Sequence, residues 1–418
     1  MSDRRAPTGG GPLDGIRVVE LGVWVAGPGA AGILADWGAD VVKIEPPGGD
    51  PARSFQRTLG GDLDVNPVFE LDNRGKRGIA LDLSTERGVE IAERLLAEAD
   101  VFVTNLRPAA LDRLGLGPDA TRSRHPRLVY ALITGYGVDG PDAGRAAYDI
   151  GAFWARAGVA ESLRVPGGAL PFQRGGIGDH SAAMTGAAMI SAALVGRAAS
   201  GEGRLVSTSL LRQGAYTIGF DVNVALMWGR TLATNVRETM GSPTVNNYTA
   251  GDGRAFWIVG LEGERHWPAL ARAVGRPEWL TDERFATPRG RFVNARELVA
   301  ELDAIFATRP LAEWAEAFDA EPDMFWSPVN TIEDLIGDEQ FHAAGGIVEV
   351  PDEGGSWPMV ATPADFDGRP PAPRSMAPTL GQHTREVLAE LGLAEDAIDA
   401  LVADGVAVAV AVDGSEAG

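Results

Sequence analysis

The fold is decided by residues 16–45, "IRVVELGVWVAGPGAAGILADWGADVVKIE". Its two ends, "IRVVEL" and "ADVVKIE", are rich in β-branched residues and predict strands, and "GAAGILADWG" between them predicts a helix. Further along, "ERGVEIAERLLAEA" predicts a helix, and "DVFVTNL" and "RLVYALIT" predict strands. Strands that alternate with helices and lack a polar face are typical of parallel βαβ units. The sequence therefore predicts an α/β fold with a doubly wound parallel sheet.

The pattern changes after Leu205, where a strand or short segment is predicted to lead into a long apolar helix that ends at Trp228. A Gly- and Asn-rich passage and several helical segments follow, and α/β patterning resumes near Asp323. We therefore expect the chain to return to its first domain. The predicted organisation is a flexible tail at 1–11, a large domain at 12–225, a small domain at 226–328, a return to the large domain at 329–411 and a second tail at 412–418.

Composition excludes several classes of function. The chain has 418 residues, of which 45% are hydrophobic and 23% charged, as in an ordinary globular protein. It has no cysteine, which excludes disulfides, thiolate catalysis and Cys-ligated metal sites. A formal net charge of −21 argues against a nucleic-acid partner. The five histidines show no metal-ligand spacing, so we expect no metal.

The sequence also bears on location and on the role of lysine. The first residues are polar, and the longest apolar run, 182–195, is short and rich in alanine, so we predict a cytoplasmic protein without a membrane span. Lys43 and Lys76 are the only lysines among 37 basic residues. Because the chain uses arginine at almost all its other basic positions, these two lysines are candidates for a specific role.

Residues 27–32 read "GPGAAG", which matches the GxGxxG fingerprint of dinucleotide-binding proteins. Glu45 closes the next strand, where an acid would bind a ribose. However, "GVWVA" separates the first strand from the glycines, and Pro28 occupies the tight turn. Close helix packing explains the small residues equally well. We therefore expect no nicotinamide cofactor, with a dehydrogenase as the weaker alternative.

One acid, Asp179, stands in "GGIGDHSAAMTGAAMISAAL", residues 175–194. Aspartate is a preferred helix N-cap, and a long helix-compatible stretch follows it. A carboxylate beside a glycine-rich approach is also a candidate nucleophile, because a ligand can come close to the backbone there. The residues alone leave both interpretations open.

Several motifs together resemble a known family. They are "NRGKRGIALDL", "ADVFVTNLRPAALDRLGLG", "PRLVYALITGYGVDGP", "AAYDIGAF", "GDH", "GEGRLVSTSLL" and "PTLGQHTREVLAELGL", in addition to residues 12–53. In this order they resemble the class III coenzyme A transferases, or CaiB/BaiF family, which includes formyl-CoA transferase, carnitine CoA-transferase and α-methylacyl-CoA racemase. The resemblance implies a Rossmann-like large domain, a smaller α+β domain and an interlocked homodimer.

The resemblance also implies roles for individual residues. Asp179 falls on the family's catalytic aspartate. The positions that contact CoA in the family are here Val25, Ala26, Leu81, Asp82, Leu83, Ser84, Asn105, Leu106, Arg107, Arg113, Ala146, Ala147, Tyr148 and Asp149. Arg74, Lys76 and Arg77 could add positive potential for the CoA phosphates, or could form structural ion pairs in a solvated turn.

Some positions depart from the family pattern. Pro46 stands where an arginine is frequent, Ser84 where a lysine follows the "LDL" run, and Val25 where some transferases have glutamine. Only "GSPTVNNYTAGDG" occupies the place of a glycine loop in the small domain. The contacts to the adenosine end of CoA are therefore expected to differ from those of other members.

The family contains two reaction types, and Tyr148 bears on the choice. The racemase branch has a histidine at this position, and imidazole titrates near neutral pH whereas phenol titrates near 10. His180 neighbours Asp179, but consecutive side chains do not share a helix face. We therefore predict transfer of CoA from an acyl-CoA to a carboxylic acid through mixed anhydrides and an aspartyl-CoA thioester at Asp179. The alternatives are a 2-methylacyl-CoA racemase and a catalytically silent acyl-CoA-binding relative.

Overall fold

A computed structural model of the chain describes residues 11–58, 60, 65–232 and 236–410. Apart from Gly11, the tails predicted at 1–11 and 412–418 lie outside the described residues. The chain forms two compact units. Unit 1 comprises Met1–Ser162, Phe172–Gly229 and Gln340–Gly418, and unit 2 comprises Leu163–Pro171 and Arg230–Glu339.

The limits of unit 2 differ from those predicted for the small domain. The sequence predicts 226–328, whereas unit 2 continues to Glu339 and takes in Leu163–Pro171. One reason is an ion pair between Arg254 and Asp334, whose side chains approach to 2.9 Å. Because Arg254 belongs to unit 2, this pair holds the chain segment around Asp334 in the same unit.

The structure contains parallel and antiparallel strands. The strands are β1 (Arg17–Leu21), β2 (Asp40–Glu45), β3 (Arg77–Leu81), β4 (Val101–Thr104), β5 (Val129–Thr134), β6 (Leu205–Ser209), β7 (Val245–Thr249), β8 (Ala255–Val259), β9 (Trp326–Pro328), β10 (Ile347–Asp352), β11 (Gly355–Val360) and β12 (Ala407–Val408).

Helices of very different length connect the strands. They are α1 (Ala26–Asp36), α2 (Phe55–Thr58), α3 (Pro67–Asn73), α4 (Glu86–Glu98), α5 (Pro108–Arg113), α6 (Pro118–Arg124), α7 (Val159–Ser162), α8 (Ile177–Ser200), α9 (Leu210–Thr217), α10 (Gly219–Trp228), α11 (Gly263–Ala273), α12 (Pro288–Val293), α13 (Ala295–Phe306), α14 (Leu311–Asp319), α15 (Ile332–Ile336), α16 (Glu339–Ala343), α17 (Thr384–Glu390) and α18 (Glu395–Ala403). A π-helix covers Ile150–Arg156.

Seven strands of unit 1 form one sheet in the order β12-β3-β2-β1-β4-β5-β6. Strands β1 to β6 pair in parallel, and the short β12 pairs antiparallel with β3. The order 3-2-1-4-5-6 is that of the Rossmann fold. The predicted α/β class with a parallel sheet is therefore confirmed.

Both faces of this sheet are covered by helices. Successive strand residues point to opposite faces, so Val18 packs with α1 and α8, and Val19 packs with α4, α17 and α18. All six residues of β5 are buried. Burial on both sides is the physical reason that these strands lack a polar face in the sequence.

The "GPGAAG" residues, 27–32, lie inside α1 and not in a turn before it. A Cβ on Gly29 would stand 2.9 Å from Asp72 Oδ1, and one on Gly32 would stand 2.6 Å from the Asp72 carbonyl oxygen. A Cβ on Gly186 of α8 would stand 2.9 Å from the Ala30 Cβ. The glycines thus allow α1 to pack closely against α3 and α8, whereas a dinucleotide fingerprint lies in the turn between strand and helix.

Helix α8 has 24 residues and is, among the residues described, the one helix long and apolar enough to cross a membrane. It extends beyond the run at 182–195 that the sequence singles out. Ala182, Gly186 and Ile190 are buried on one of its faces, which packs against α1 and the sheet. This placement is that of a core helix.

Unit 2 is built around a three-stranded antiparallel sheet in the order β7-β8-β9. Its core is aromatic: Phe306 lies 5.0 Å from Phe256 and 5.3 Å from Trp314, measured between ring centroids. Trp267 and Trp279 stack at 5.7 Å in the same core. The unit is therefore an α+β body with its own hydrophobic core.

Candidate active site

The carboxyl ends of β1 and β4 lie side by side where the strand order reverses, which is the position at which open α/β sheets bind ligands. Asn105, directly after β4, joins the two ends. Its Oδ1 accepts a hydrogen bond from the Val23 amide at 2.9 Å, and its Nδ2 donates to the Val23 carbonyl oxygen at 2.7 Å. Val25 is the N-cap residue of α1 and Ala26 is its first residue, so the structure brings these predicted positions next to Asn105.

Trp24, between Val23 and Val25, has an unusual backbone. Its φ is 66°, in the left-handed region that costs a residue with a side chain about 1–2 kcal/mol. The Trp24 amide donates to Asp50 Oδ1 at 3.0 Å, and Asp50 Oδ2 accepts from Lys43 Nζ at 3.0 Å. These contacts, with those of Asn105, hold the loop after β1 in one conformation.

A third segment reaches the same edge from the loop after β5. Ala147 packs directly on Gly135. A Cβ added to Gly135 would stand 2.2 Å from the Ala147 Cβ. Tyr148 is 65% exposed, and its ring meets the Trp24 ring edge-on with centroids 5.8 Å apart. Asp149 is buried, and its Oδ2 accepts hydrogen bonds from the Gly176 amide at 3.0 Å and from Gln173 Nε2 at 2.8 Å. Asp149 therefore fixes the glycine turn in front of α8.

Asp179 stands in the first turn of α8, as its third residue. The N-cap residue is Gly176, with a φ of 88°, and no side chain caps this helix end. The N-cap interpretation of Asp179 is therefore wrong, because the left-handed glycine starts the helix earlier than the sequence suggests. None of the described residues donates a hydrogen bond to the Asp179 carboxylate, which leaves its oxygens free for a reacting ligand.

The surroundings of Asp179 favour its neutral form. Burial, as the largest cause, and the negative charges of Asp149 and Asp72 raise the pKa of Asp179 to about 7, although His180 opposes this shift. A hydrogen bond between His180 Nε2 and Asp72 Oδ1, 3.2 Å long, raises the pKa of His180. Asp179 thus lies among two carboxylates and one imidazole, and titrates close to neutral pH.

Two of the predicted cationic side chains are free at this edge. Arg107 is the N-cap residue of α5 and Arg113 is its last residue. Both are exposed, and within the described part of the chain neither side chain forms an ion pair. Leu106, between Asn105 and Arg107, is half-buried and packs on the core. The guanidinium groups of α5 are therefore available to an anionic ligand.

Arg74 and Lys76 are placed differently. The Arg74 guanidinium is buried and pairs with Asp36 at 2.7 Å, and it also donates to the Val360 carbonyl oxygen at 2.9 Å. Lys76 is buried, and its Nζ donates to Glu20 at 2.6 Å. A direct contact of these two side chains with CoA phosphates does not fit this burial. They form structural ion pairs, and the turn is buried where the sequence suggests a solvated one.

Both lysines of the chain meet at Glu20 of β1, which accepts from Lys43 Nζ at 2.8 Å and from Lys76 Nζ at 2.6 Å. Lys43 also donates to the Gly22 carbonyl oxygen at 3.2 Å, and Lys76 to the Pro28 carbonyl oxygen at 2.8 Å. The rare lysines therefore stabilise the loop after β1 and the first turn of α1. The remaining cation of this stretch, Arg77, pairs with Asp40 at 2.7 Å.

The residues after β3 lie at the same edge but two strands away from β1. Leu81 is fully buried, and Leu83 packs on the core. Asp82 Oδ1 accepts from the Ser84 amide at 2.9 Å and from Ser84 Oγ at 2.7 Å, which lowers the pKa of Asp82. These side chains stabilise their own turn. Ala146 is exposed in the loop before Tyr148.

A family model described as CoA-transferase family III matches residues 13–384. The chain belongs to CoA-transferase family III. It is 34% identical to (R)-2-hydroxy-4-methylpentanoate CoA-transferase of Clostridioides difficile, over 93% of this chain and 97% of the relative. It is 32% identical to cinnamoyl-CoA:phenyllactate CoA-transferase of Clostridium sporogenes, over 94% and 96%.

Solved structures agree with the family assignment. A crystal structure of a CaiB/BaiF family protein from Brucella suis matches with a TM-score of 0.77 at 31% identity, covering 91% of this chain and 99% of that chain. The resemblance inferred from the motifs is confirmed. This family III CoA-transferase therefore acts on a CoA thioester.

Sequence reasoning missed several residues at the candidate site of this CoA-transferase. Trp24 and Asp50 lie in the family-like stretch 12–53 without a predicted role, and the sequence carries no signal for the left-handed backbone of Trp24. Asp72 lies in α3, more than one hundred positions before His180, so their pairing could not be foreseen. The scarcity of lysine was the one available signal for the network around Glu20. Among the residues that the structure describes, no three His, Asp or Glu side chains are grouped as a metal site.

Proposed function

We propose that the enzyme transfers CoA from an acyl-CoA donor to a free carboxylic acid through covalent intermediates on Asp179. The observation that carries this proposal is the Asp179 carboxylate itself. It stands in the first turn of α8, whose preceding Gly176 is held by Asp149 of the loop after β5, and it receives no hydrogen bond from the described residues. Carboxylates that are partly desolvated and unbonded are the more nucleophilic ones, and carboxylates serve as covalent nucleophiles in other enzymes.

The exchange has four steps. An Asp179 oxygen attacks the thioester carbon, the C–S bond breaks, and a mixed anhydride and the CoA thiolate form. The thiolate then attacks the Asp179 carbonyl carbon, which gives an aspartyl-CoA thioester and releases the first acid. The acceptor carboxylate attacks this thioester to form a second anhydride and again the thiolate. The thiolate finally attacks the acceptor's acyl carbon, which gives the new acyl-CoA and the free Asp179 carboxylate.

The first turn of α8 can stabilise the oxyanions of these steps. Asp149 accepts the hydrogen bond of the Gly176 amide. The amides of Ile177 and Gly178 follow at the start of the helix, where backbone N–H groups have no partner within the helix. Such groups and the positive end of the helix dipole favour negative charge nearby. We assign the oxyanion site to these amides.

The free cations of α5 suggest where CoA binds. Arg107 and Arg113 are exposed, and a guanidinium can bind a phosphate with two hydrogen bonds. Val25, Ala26 and Asn105 line the same edge of the sheet and place backbone groups there. We propose that CoA runs along this edge, with its phosphates at α5 and its thioester at Asp179.

Tyr148 supports transfer over racemisation. Racemisation needs an acid and a base on opposite faces of the α-carbon, and Tyr148 occupies the position of the racemase histidine. A phenol is a poor base at neutral pH. The α-proton of the acyl group therefore stays in place during the proposed reaction.

The surface of α10 supports the homodimer that the resemblance implies. None of its residues is buried, even though several are large and apolar. Phe220 is 90% exposed and Met227 is 80% exposed. Tyr216 of α9 continues this apolar surface and is 87% exposed. Large contiguous apolar patches are rare on monomeric proteins. We propose that a second copy of the chain covers α10 in the interlocked homodimer.

The cytoplasmic location of the enzyme stays a prediction.

Isotope exchange tests the transfer across a panel of acyl groups. Each acyl-CoA of the panel is mixed with its own free acid, deuterated in the side chain, and labelled acyl-CoA is measured by mass spectrometry. We expect exchange with wild-type enzyme and its loss, by about 10³-fold or more, in Asp179→Asn and Asp179→Ala. CoA affinity, measured by calorimetry, stays within about threefold because the phosphate contacts lie elsewhere.

The matched control is Asp119→Asn, which also changes an acid in the first turn of a helix, α6. It should exchange at the wild-type rate. Exchange by Asp179→Asn at an undiminished rate, with mass spectrometry showing that the asparagine has not deamidated, contradicts the proposed role of Asp179.

A further inference from the structure

The backbone of Trp24 is strained, and the strain is maintained by its neighbours. Its φ of 66° suits glycine and not a large side chain. Asp50 accepts the hydrogen bond of the Trp24 amide, and Asn105 holds both backbone groups of Val23. Strained residues that the surrounding structure holds in place cluster at functional sites. Tryptophan at this position therefore costs conformational energy that glycine would not.

The ring of Trp24 does not explain this cost by packing in the core. Trp24 is half-buried and belongs to none of the three hydrophobic clusters. Its ring contacts Phe55 edge-on at 6.2 Å and Tyr148 edge-on at 5.8 Å, measured between centroids. Phe55 is half-buried and Tyr148 is largely exposed. These three residues form an aromatic wall at the carboxyl edge of the sheet.

The aromatic wall is connected to the reacting group through Asp149. Tyr148 precedes Asp149, whose carboxylate binds the Gly176 amide at the start of α8 and whose charge acts on Asp179. The charged groups that act on Asp179 are Asp149, Asp72 and His180. The two carboxylates of Asp149 and Asp72 disfavour a substrate that carries a second carboxylate near the reacting carbon. The wall instead offers an apolar surface, and aromatic rings suit apolar and aromatic side chains.

We propose that the aromatic wall contacts the acyl side chain, and that the enzyme prefers monocarboxylic acids with a branched or aromatic side chain over short linear acids and dicarboxylic acids. Trp24 is the residue that sets this preference. The inference rests on the proposed transfer of CoA, and it adds the substrate class and the residue that selects it.

The test compares exchange rates for four acyl-CoA compounds, each with its own side-chain-deuterated acid: 4-methylpentanoyl-CoA, 3-phenylpropanoyl-CoA, butyryl-CoA and succinyl-CoA. For wild-type enzyme we expect kcat/KM to be about tenfold or more higher for the first two. Trp24→Gly removes the ring and relaxes the backbone, so the variant is expected to fold. It should lose that preference, with the values of kcat/KM for 4-methylpentanoyl-CoA and 3-phenylpropanoyl-CoA falling toward that for butyryl-CoA.

Two further variants sharpen the comparison. Trp24→Phe keeps an aromatic ring and should retain most of the preference. Trp357→Leu changes a half-exposed tryptophan of the β10–β11 hairpin, outside the wall, and should behave as wild type. Affinity for free CoA is measured by calorimetry for all three variants and should stay at the wild-type value in Trp357→Leu.

Several results would overturn the inference. Wild-type exchange without preference for the first two compounds contradicts the substrate class alone and leaves CoA transfer intact. Retained preference in Trp24→Gly contradicts the role of Trp24. An equal loss for all four compounds, together with weaker binding of free CoA, assigns the wall to CoA and not to the acyl group. Absence of exchange with every compound contradicts the proposed function, and the inference with it.

Discussion

At the scale of single residues, the surroundings of Asp179 shift the pKa of this carboxyl toward neutral pH. Burial, as the largest cause, and the neighbouring charge of Asp149 together raise its pKa to about 7. A nucleophilic carboxylate must be ionised, so only the form present above this pH can attack a thioester. Because Asp179 is buried beside a second acid, the fraction of enzyme with a nucleophilic carboxylate depends on pH near neutrality.

The first prediction is therefore a pH dependence. The value of kcat/KM for exchange should rise with pH through about 7, because this parameter follows the ionisation of the free enzyme. Asp149→Asn keeps an oxygen that can accept from Gly176 and Gln173 but removes a negative charge. The pKa of Asp179 should then fall. The rise of kcat/KM with pH, here called the acid limb, should move to lower pH by about one unit.

The exposed Asp139, in the loop that leads to Tyr148, supplies the control. Asp139→Asn should leave the limb in place. A profile that is flat between about pH 5 and 9 for wild-type enzyme, or one that Asp149→Asn does not move, contradicts the assignment of this limb to Asp179.

At the scale of elements, the start of α8 depends on the π-helix at Ile150–Arg156. A Cβ on Gly178 would stand 2.5 Å from Phe153 Cγ, and Phe153 is buried in the π-helix. Glycine therefore permits the contact that brings the first turn of α8 against the loop of Asp149. The wider turn of a π-helix frequently occurs at functional sites, and here it carries the residues directly after Asp149.

The second prediction concerns this contact. Gly178→Ala should destabilise the protein by about 1–3 kcal/mol, because the overlap with a buried ring outweighs the better helix propensity of alanine. The displaced first turn should also slow the exchange. Gly175→Ala is the matched control, since nothing lies within 4 Å of a Cβ there. Chemical denaturation measures both, and a Gly178→Ala variant as stable as Gly175→Ala contradicts the packing argument.

The sequence predicts the elements unevenly. Strands β1, β2, β4 and β5 and helices α1 and α4 follow from apolar runs and periodicity, since burial on both faces of the sheet leaves a clear pattern. Strands β3 and β12 were missed as strands. The first has five residues and the second two, which is too short for a reliable pattern. The left-handed conformation of Gly176 could also not be predicted from the sequence. Because of it, α8 begins at Ile177 and Asp179 is not its N-cap residue.

At the scale of the whole molecule, family membership follows from motifs spread over most of the chain, whereas the site depends on contacts that no motif shows. The resemblance predicts site roles for Asp179, Val25 and Asn105, and these roles stay predictions. The burial of Arg74 and Lys76 could not, because a basic turn has the same sequence whether it binds phosphate or pairs with Asp36 and Glu20. Long-range pairing decides between these roles.

The third prediction is the oligomeric state. If a second copy covers α10, light scattering after size exclusion should give twice the mass of one chain. Phe220→Asp combined with Met227→Asp should shift the mass toward that of one chain, since charge on a buried interface is costly. A monomeric wild-type enzyme contradicts the proposal that α10 is an interface.

The fourth prediction is a covalent intermediate, which is the central claim. Wild-type enzyme incubated with acyl-CoA and treated with hydroxylamine should carry a hydroxamate on one tryptic peptide, residues 175–197. Asp179 is the only acid in that peptide, and the chain has no cysteine that could carry a competing thioester. We expect this modification in wild-type enzyme and its absence in Asp179→Asn. Exchange-competent enzyme that shows a hydroxamate on another peptide, or none at all, contradicts it.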